Sequence, residues 1–302
     1  MFKNQNKRNP LVSIILNCYN GEKYLYESLK SIENQTYKNW ELIFWDNKST
    51  DKSKIIFSAF QNNKFKYFES KRHTSLYAAR NLAMKKAKGD FVSFVDADDT
   101  WEKDKLKLQI KLFDDKDVGF VYGNIWLRKE HTKKIKKFIN YTMKEGHIYK
   151  DLIKKYNIFI STAIIRQSFL KKINKKFNNK YNIIGDYDFF LNLSEKFKFK
   201  VIQKPVATYR LHQNSLSVSK RGTEIYELND WFKNNKKKLN NEERIIIKKK
   251  ITQLNFYNKK FKGNFIETLL FFLKFFSSIL NFKNIIILFS PRFFLKKIMW
   301  FY

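Results

Sequence analysis

Short apolar runs alternate with segments of helical period through the first half of the chain, and this alternation most narrows the folds open to it. Residues 11–16 form the first run, after which Tyr24, Leu25, Ser28, Leu29 and Ile32 trace one helical face. A second run at 40–45 ends at Asp46, and Ser49, Thr50 and Asp51 offer caps for a helix carrying Ile55, Ile56 and Phe60. A third run follows at 65–68. Ala79, Ala83 and Ala87 mark another helix, broken by Gly89, and a fourth run at 91–95 delivers Asp96, Asp98 and Asp99 just beyond its end. Strands separated by helices in this way predict an α/β fold with a mostly parallel sheet flanked by helices. Ligands of such sheets gather at the carboxyl ends of strands, so two runs that end in carboxylates point to a site there.

The second half is less regular. A helix around 103–113 precedes a run at 118–122, and the charged stretch 127–137 reads as a loop or solvated hairpin. Residues 158–165 are expected to form a strand. A helix beginning at Asp186 carries Phe189, Phe190, Leu193 and Phe197 on one face, and the last run, 201–209, leads to Arg210 and His212. From about Gly222 lysine, asparagine and aromatic residues dominate, with basic clusters at 236–238 and 248–250. The expected division is therefore a main domain over 1–220 and a basic, aromatic helical appendage over 221–302, without internal repeats or a Gly/Ser-rich linker.

At 302 residues the chain can bury a substantial core. Its formal charge of +33, from 61 Lys and Arg against 28 Asp and Glu, suggests nucleic acid, an anionic membrane or a phosphorylated ligand as partner. The abundance of Lys, Asn, Ile and Phe beside only 8 Gly and 3 Pro is equally what AT-rich codon bias produces. Cys18 is the sole cysteine, which excludes an internal disulfide and fits a reducing, cytoplasmic setting. Residues 1–10 are polar and basic and do not read as a secretory signal. The most apolar stretch, 265–282, is interrupted by Glu267 and Lys274 and makes a poor membrane span.

The cluster Asp96, Ala97, Asp98, Asp99 is the sharpest chemical feature. Carboxylates so close repel unless a cation or hydrogen bonds neutralise them, and oxygen ligands suit Mg2+ or Mn2+ with positions left for substrate phosphates. Asp99 and Glu102 also have capping-box spacing, so Asp99 is expected to cap the next helix while Asp96 and Asp98 face a ligand.

The run LVSIILNCYNGEKYLYESLKSIENQTYKNWELIFWDNKSTD, followed by AARNLAMKKAKGDFVSFVDADDTWEKDKL and later by IIGDYDFFLNL and YRLHQNSLS, resembles family 2 glycosyltransferases of the GT-A fold, of the bacterial surface-polysaccharide type. The resemblance covers about residues 10–217 and rests on four motifs in one order. It implies an inverting glycosyltransferase moving a sugar from a nucleotide-sugar, most often a UDP-sugar, to a cell-surface glycan or polyprenyl-linked acceptor. Residues of about 10–125 would bind the donor and those of about 126–220 would serve the acceptor and the base.

Carried over by position, Asp46 would hold the nucleobase, and the loop with Asn17, Tyr19, Asn20 and Glu22 would line the same pocket. Arg80 would approach the diphosphate. Asp96 would lie near the ribose, and Asp98, joined by His212, would hold the Mn2+ or Mg2+ that bridges the donor diphosphate. The family's Glu-Asp base motif reads Gly185, Asp186 here, so the first acid is missing and Asp186 stands at the base position. The alternative for Asp186 is a helix cap, and Asp188 reads as a first-turn carboxylate. His73 reads as structural. Asn47 stands where the family usually has a second acid or serine.

Near the carboxyl end, Glu267, Lys274 and Asn281 form a narrow polar stripe on an otherwise apolar helix, flanked by Lys259, Lys260, Lys283, Arg292, Lys296 and Lys297. Such a helix fits the interface of an anionic membrane, on the inner face of the plasma membrane, with a homodimer contact as the rival. A basic nucleic-acid-binding protein and a catalytically inactive sugar-binding protein are the competing functions. The first leaves the ordered acidic motifs unexplained, and no nucleic-acid partner is expected.

Overall fold

A computed structural model describes residues 9–173, 176–216, 220–262 and 265–279, with Asn284, Ile287 and Leu288 beyond them. The chain divides into two compact units: one runs to Asp151 and then over Tyr156–His212, and the other takes Leu152–Lys155 and the chain from Gln213 onward.

The first unit is built on β1 (Val12–Cys18), β2 (Trp40–Asp46), β3 (Phe65–Glu69), β4 (Phe91–Asp96), β5 (Thr100–Trp101), β6 (Val118–Lys129), β7 (Ile135–Lys137), β8 (Ile164–Arg166) and β9 (Lys198–Leu211). Among the described residues these join in one sheet of order β3-β2-β1-β4-β8-β6-β9-β5, with β7 paired to β6. The first four neighbours are parallel, as the helical crossovers require. Antiparallel β8 then separates β4 from β6, and β6 and β9 run parallel again. The sheet is thus parallel over its first half and mixed over its second.

The apolar runs become strands because both faces are covered. Every residue of β1 and β2 is buried, the signature of a parallel strand between two layers. Helix α1 (Leu25–Glu33) lays Leu25, Ser28, Leu29 and Ile32 on the sheet, as their spacing predicts. Those side chains pack into a core with Val12, Ile14 and Leu16 of β1 and Leu42 and Phe44 of β2. Full burial of each such side chain contributes about 1.5–3 kcal/mol. Helices α2 (Ser53–Ser58) and α3 (Leu76–Met84) follow β2 and β3. Chain from α3 returns to β4 through Gly89, whose amide donates to Ser13 Oγ at 2.8 Å. A Cβ there would lie 2.6 Å from the Leu11 carbonyl oxygen, so only glycine fits.

Three expectations are corrected. Asp99 does not cap the next helix, because β5 intervenes and α4 (Lys105–Ile110) starts later; its carboxylate turns instead toward Ser161 and Arg210. The strand expected over 158–165 is confined to β8, because the hydroxyl of Thr162 bonds back to Phe159 O at 2.7 Å and a 3-10 turn occupies Ile160–Thr162. The helix with the alanine repeat ends at Met84, before Ala87. The charged stretch 127–137 is a hairpin, pairing Trp126 with Lys137. Helices α5 (Tyr149–Lys154), α6 (Gln167–Ile173) and α7 (Gly185–Ser194) complete the elements that position the site.

The second unit is helical. Its long helix Asn241–Lys262 opens on a reciprocal capping box: Asn240 Oδ1 accepts from Glu243 N at 2.9 Å and Asn240 N donates to Glu243 Oε2 at 2.9 Å. Phe256, Phe272, Ile279, Ile287 and Leu288 form its core. The helix Phe265–Lys274 leaves Ile266, Leu270 and Leu273 exposed, and Glu267 pairs with Lys259 at 3.5 Å. No helix of the described residues is long and apolar enough to cross a membrane. Asn281, Lys283, Arg292, Lys296 and Lys297 lie outside the described residues.

Candidate active site

Sheet register brings the strand-end residues together. Asn17 lies opposite Asp96, and Cys18 opposite Asp46, so three adjacent strands (β2, β1 and β4) end side by side in polar groups. Asn17 is mostly buried; its Nδ2 donates to Leu76 O at 3.4 Å, while its Oδ1 is buried and accepts from none of the described residues. Asp46 is 2% exposed and accepts from Tyr67 Oη at 2.7 Å and from Ser49 N at 2.8 Å. An ionised carboxylate has about four acceptor positions, so those two bonds leave capacity for a ligand N–H.

The first loop divides into two kinds of residue. Asn20 stands at φ 52, with its side chain accepting from Thr50 N at 2.8 Å, and Glu22 accepts from Lys52 N at 3.0 Å. Both side chains therefore tie the loop after β1 to the loop after β2. Tyr19 remains 52% exposed and packs against His73, ring centroids 4.1 Å apart. His73 in turn contacts Asn47 O at 3.1 Å, and Asn47 holds Thr74 through its amide. His73 and Asn47 thus brace the wall that Tyr19 presents.

Arg80 is buried on α3 and pairs with Asp96, while its guanidinium lies 5.2 Å from the Tyr77 ring centroid. Burial, the largest influence, opposes the charge on Arg80, but Asp96, Tyr77 and Asp186 together outweigh it and the pKa rises. For Asp96 burial raises the pKa above the ordinary carboxylate value, Arg80 opposes the rise and Asp98 adds to it.

Asp98 and His212 meet: His212 Nε2 is 2.8 Å from Asp98 Oδ2. Both side chains keep some open surface, at 30% and 10%. A carboxylate and an imidazole converging on one open point suit a borderline or hard divalent ion, and such ions commonly take one or two protein ligands plus substrate phosphates. Among the described residues no group of three His, Cys, Asp or Glu converges as a preformed cluster. The residues present therefore fit an ion completed by its substrate.

The pair is held by Arg210 and Asp99, which the sequence offered near it, and through them by Glu27 and Ser161, which the linear pattern did not single out. Arg210 Nε donates to Asp98 O at 3.0 Å, and its other end pairs with Glu27 at 2.6 Å beneath the Tyr24 ring. Asp99, 2% exposed, accepts from Arg210 N at 3.1 Å and from Ser161 Oγ at 2.5 Å. Burial, with Asp98 and Asp96 close by, pushes its pKa well above the usual carboxylate value.

Asp186 lies in the first turn of α7 and is no cap; the position before the helix is Ile184. It accepts from Tyr187 N at 2.8 Å and from Tyr156 Oη at 3.2 Å, and Tyr77 Oη, which donates to Ile183 O at 3.0 Å, lies 3.4 Å from it. Burial raises its pKa, opposed by Arg80 and these hydrogen bonds. Asp188 is buried and bonded to Asn192 at 3.2 Å within its own helix. One helical turn, from Tyr77 to Arg80 on α3, reaches Asp186 at one end and Asp96 at the other. Nothing in the sequence marks the two phenols, because an aromatic residue on a buried face is spelled the same whether or not its hydroxyl has a partner.

Residues 13–175 match the family described as Glycosyl transferase family 2. The chain is similar to the UDP-Glc:alpha-D-GlcNAc-diphosphoundecaprenol beta-1,3-glucosyltransferase WfgD of Escherichia coli, 30% identical over 212 residues that cover 70% of this chain and 81% of that one. It is 32% identical over 237 residues to an uncharacterized glycosyltransferase of Haemophilus influenzae, covering 75% and 90% respectively. S. aureus TarS 1-349, solved in complex with UDP-GlcNAc, shares the fold with a TM-score of 0.62 at 18% identity, over 89% of this chain and 81% of that one. The mannosyltransferase PcManGT from Pyrobaculum calidifontis, solved with GDP-Man and Mn2+, does so with a TM-score of 0.61 at 14% identity, over 98% and 86%. Sequence and fold agree, and the chain belongs to glycosyltransferase family 2, in the GT-A fold.

Proposed function

We propose that this glycosyltransferase inverts the anomeric carbon of a nucleotide-sugar, a UDP-sugar, as it transfers the sugar to a surface glycan or a polyprenyl-diphosphate-linked acceptor. The observation that carries the reading is the α3 turn whose Tyr77 and Arg80 tie Asp186 to the Asp96 strand end. That link sets a base within reach of a donor site.

Asn17 and Asp46 take the nucleobase, with Tyr19 against its face, while Asn20 and Glu22 hold the loop that shapes this wall. Arg80 pairs with Asp96 beside the ribose and supplies positive charge toward the diphosphate. Asp98 and His212 would hold Mn2+ or Mg2+, which would supply positive charge to stabilise the departing diphosphate. Asp186 removes the proton of the acceptor hydroxyl, whose oxygen bonds to the anomeric carbon as the bond from that carbon to the diphosphate oxygen breaks on the opposite face. The proton stays on Asp186 and the nucleoside diphosphate leaves. A carboxylate whose pKa is raised by burial is a stronger base for this step.

The polyprenyl-linked acceptor is supported by the undecaprenol substrate in the name of the Escherichia coli relative, and a membrane setting by exposed Ile266, Leu270 and Leu273 on a strongly basic chain. We place the enzyme on the inner face of the plasma membrane, with its first unit as the catalytic domain and its second as the membrane contact.

The test is nucleoside-diphosphate release from UDP-, GDP- and dTDP-sugars with Mn2+ and a lipid-linked acceptor panel. Release from one donor, lowered at least about 10²-fold by both Asp98→Ala and Asp186→Asn, is expected. Release indifferent to both changes overturns the site.

A further inference from the structure

Gly185 begins α7 against the ring of Tyr77. A Cβ built on it would stand 2.5 Å from both Cδ2 and Cε2 of Tyr77 and 2.7 Å from Cζ, closer than side chains ever pack. The ring cannot swing away at little cost. It is 3% exposed, it stacks on Phe177 with centroids 5.4 Å apart, and its hydroxyl donates to Ile183 O at 3.0 Å. The same hydroxyl lies 3.4 Å from Asp186 Oδ1. From the other side Tyr156 Oη donates to Asp186 Oδ2 at 3.2 Å, and its ring meets Tyr187 edge-on at 5.2 Å. Asp186 Oδ2 thus receives the Tyr156 phenol and Oδ1 the Tyr187 amide, while the Tyr77 hydroxyl, its proton on Ile183 O, packs beside Oδ1.

We infer that Tyr77 and Tyr156 are positioning residues that aim the Asp186 carboxylate, and that position 185 must be glycine because the Tyr77 ring fills the volume a side chain would take there. This rests on the reading of Asp186 as the base. The acid missing from the base motif is then no simple loss: an aromatic ring stands in its place and packs against the neighbouring carboxylate. The Tyr156 hydroxyl and the Tyr187 amide each hold one carboxylate oxygen and the Tyr77 ring walls the carboxyl group from α3, so its free lone pairs keep one direction. Side-chain precision of this kind matters, because a displacement of about 1 Å at a reacting group costs on the order of 10²-fold in rate.

The groups that face Asp186 are Tyr77 and Arg80 from α3, Asp96 from the end of β4, Tyr156, and the amide of Tyr187 in its own helix. Removing the Tyr156 hydroxyl takes a donor from the ionised carboxylate and leaves the burial, so the base must take up protons at higher pH.

The experiment measures kcat and donor and acceptor KM across pH for the full-length wild type, Tyr156→Phe, Gly185→Ala, Tyr77→Ala and the Gly185→Ala/Tyr77→Ala double variant, using the donor that the wild type turns over. Tyr156→Phe is expected to lower kcat roughly tenfold with donor KM unchanged, and to move the acidic limb of the kcat profile to higher pH. Gly185→Ala is expected to lower kcat on the order of 10²-fold, and Tyr77→Ala, harmful in the wild type, to recover about tenfold in that background. Thermal melting of each variant separates loss of fold from loss of aim, and Tyr156→Phe, which removes one oxygen, keeps the test open should Gly185→Ala not fold. A Gly185→Ala enzyme at wild-type rate, a double variant no better than Gly185→Ala, or a Tyr156→Phe profile that does not move overturns the inference while the base assignment stands. A wild type that releases no nucleotide from any donor overturns the underlying reading instead.

Discussion

Lys105 has no exposed surface, although it carries an amine. Its Nζ donates to Ser93 Oγ at 3.1 Å and sits 4.0 Å from the centroid of the Trp101 ring. Burial pushes its pKa well below the usual lysine value. The unfolded chain keeps the proton up to about pH 10.4, so between the two pKa values the unfolded state binds more protons and stability rises with pH. Lys105→Met removes this term. We expect it to stabilise the fold at pH 7 by about 1–3 kcal/mol in urea denaturation, with an advantage over wild type that shrinks toward pH 10. The sequence offered this lysine as one of many in a basic helix, and nothing in its spacing separated it from its solvated neighbours. Asp46, Asp96 and Asp98 were legible for the opposite reason: each follows an apolar run that could only be a strand, and chemistry collects where such strands end. Tyr77 was not, since its contact with Asp186 spans 109 residues of chain.

Elements were legible where burial imposed one period. The mostly apolar runs of β1, β2 and β4 and the stripe of α1 carried their assignments. Residues 158–165 misled because their β-branched content favours a strand while two hydroxyls, on Ser161 and Thr162, found other partners. A turn there lets Ser161 face Asp99, which an extended strand would not. Gly89 shows how tightly such elements are set against each other. Its missing Cβ lies against backbone atoms of Leu11 and Ser13 rather than a movable side chain, so Gly89→Ala must shift β1 or β4. We expect a loss of about 3 kcal/mol, read as a lowered urea midpoint, with a further fall in donor affinity because β1 and β4 carry Asn17 and Asp96.

At the scale of the molecule the charge of +33 and the exposed apolar face of Phe265–Lys274 ask for a partner together. Binding to vesicles containing anionic lipid, followed by co-sedimentation, should weaken several-fold between 0.1 and 0.5 M salt as the Debye length shortens from about 10 Å. A triple change, Ile266→Ser with Leu270→Ser and Leu273→Ser, should abolish what binding remains at high salt and leave nucleotide release from the donor, measured with a soluble acceptor, intact. Absence of vesicle binding would remove the membrane from the account, whereas salt-independent binding would remove the charge from it and binding that survives the triple change would remove this apolar face. Composition alone did not decide this, because codon bias writes the same lysines as a lipid surface would select. The meeting of Asp99 with Ser161 and Arg210, 62 and 111 residues away along the chain, has a bearing on how the enzyme comes into being. Strands β1 to β4 leave the ribosome before either partner is made, so the loop beyond β4 gains these contacts only when the last strand of the sheet arrives. A nascent chain halted before Arg210 therefore lacks the residue whose amide and guanidinium hold the acidic loop.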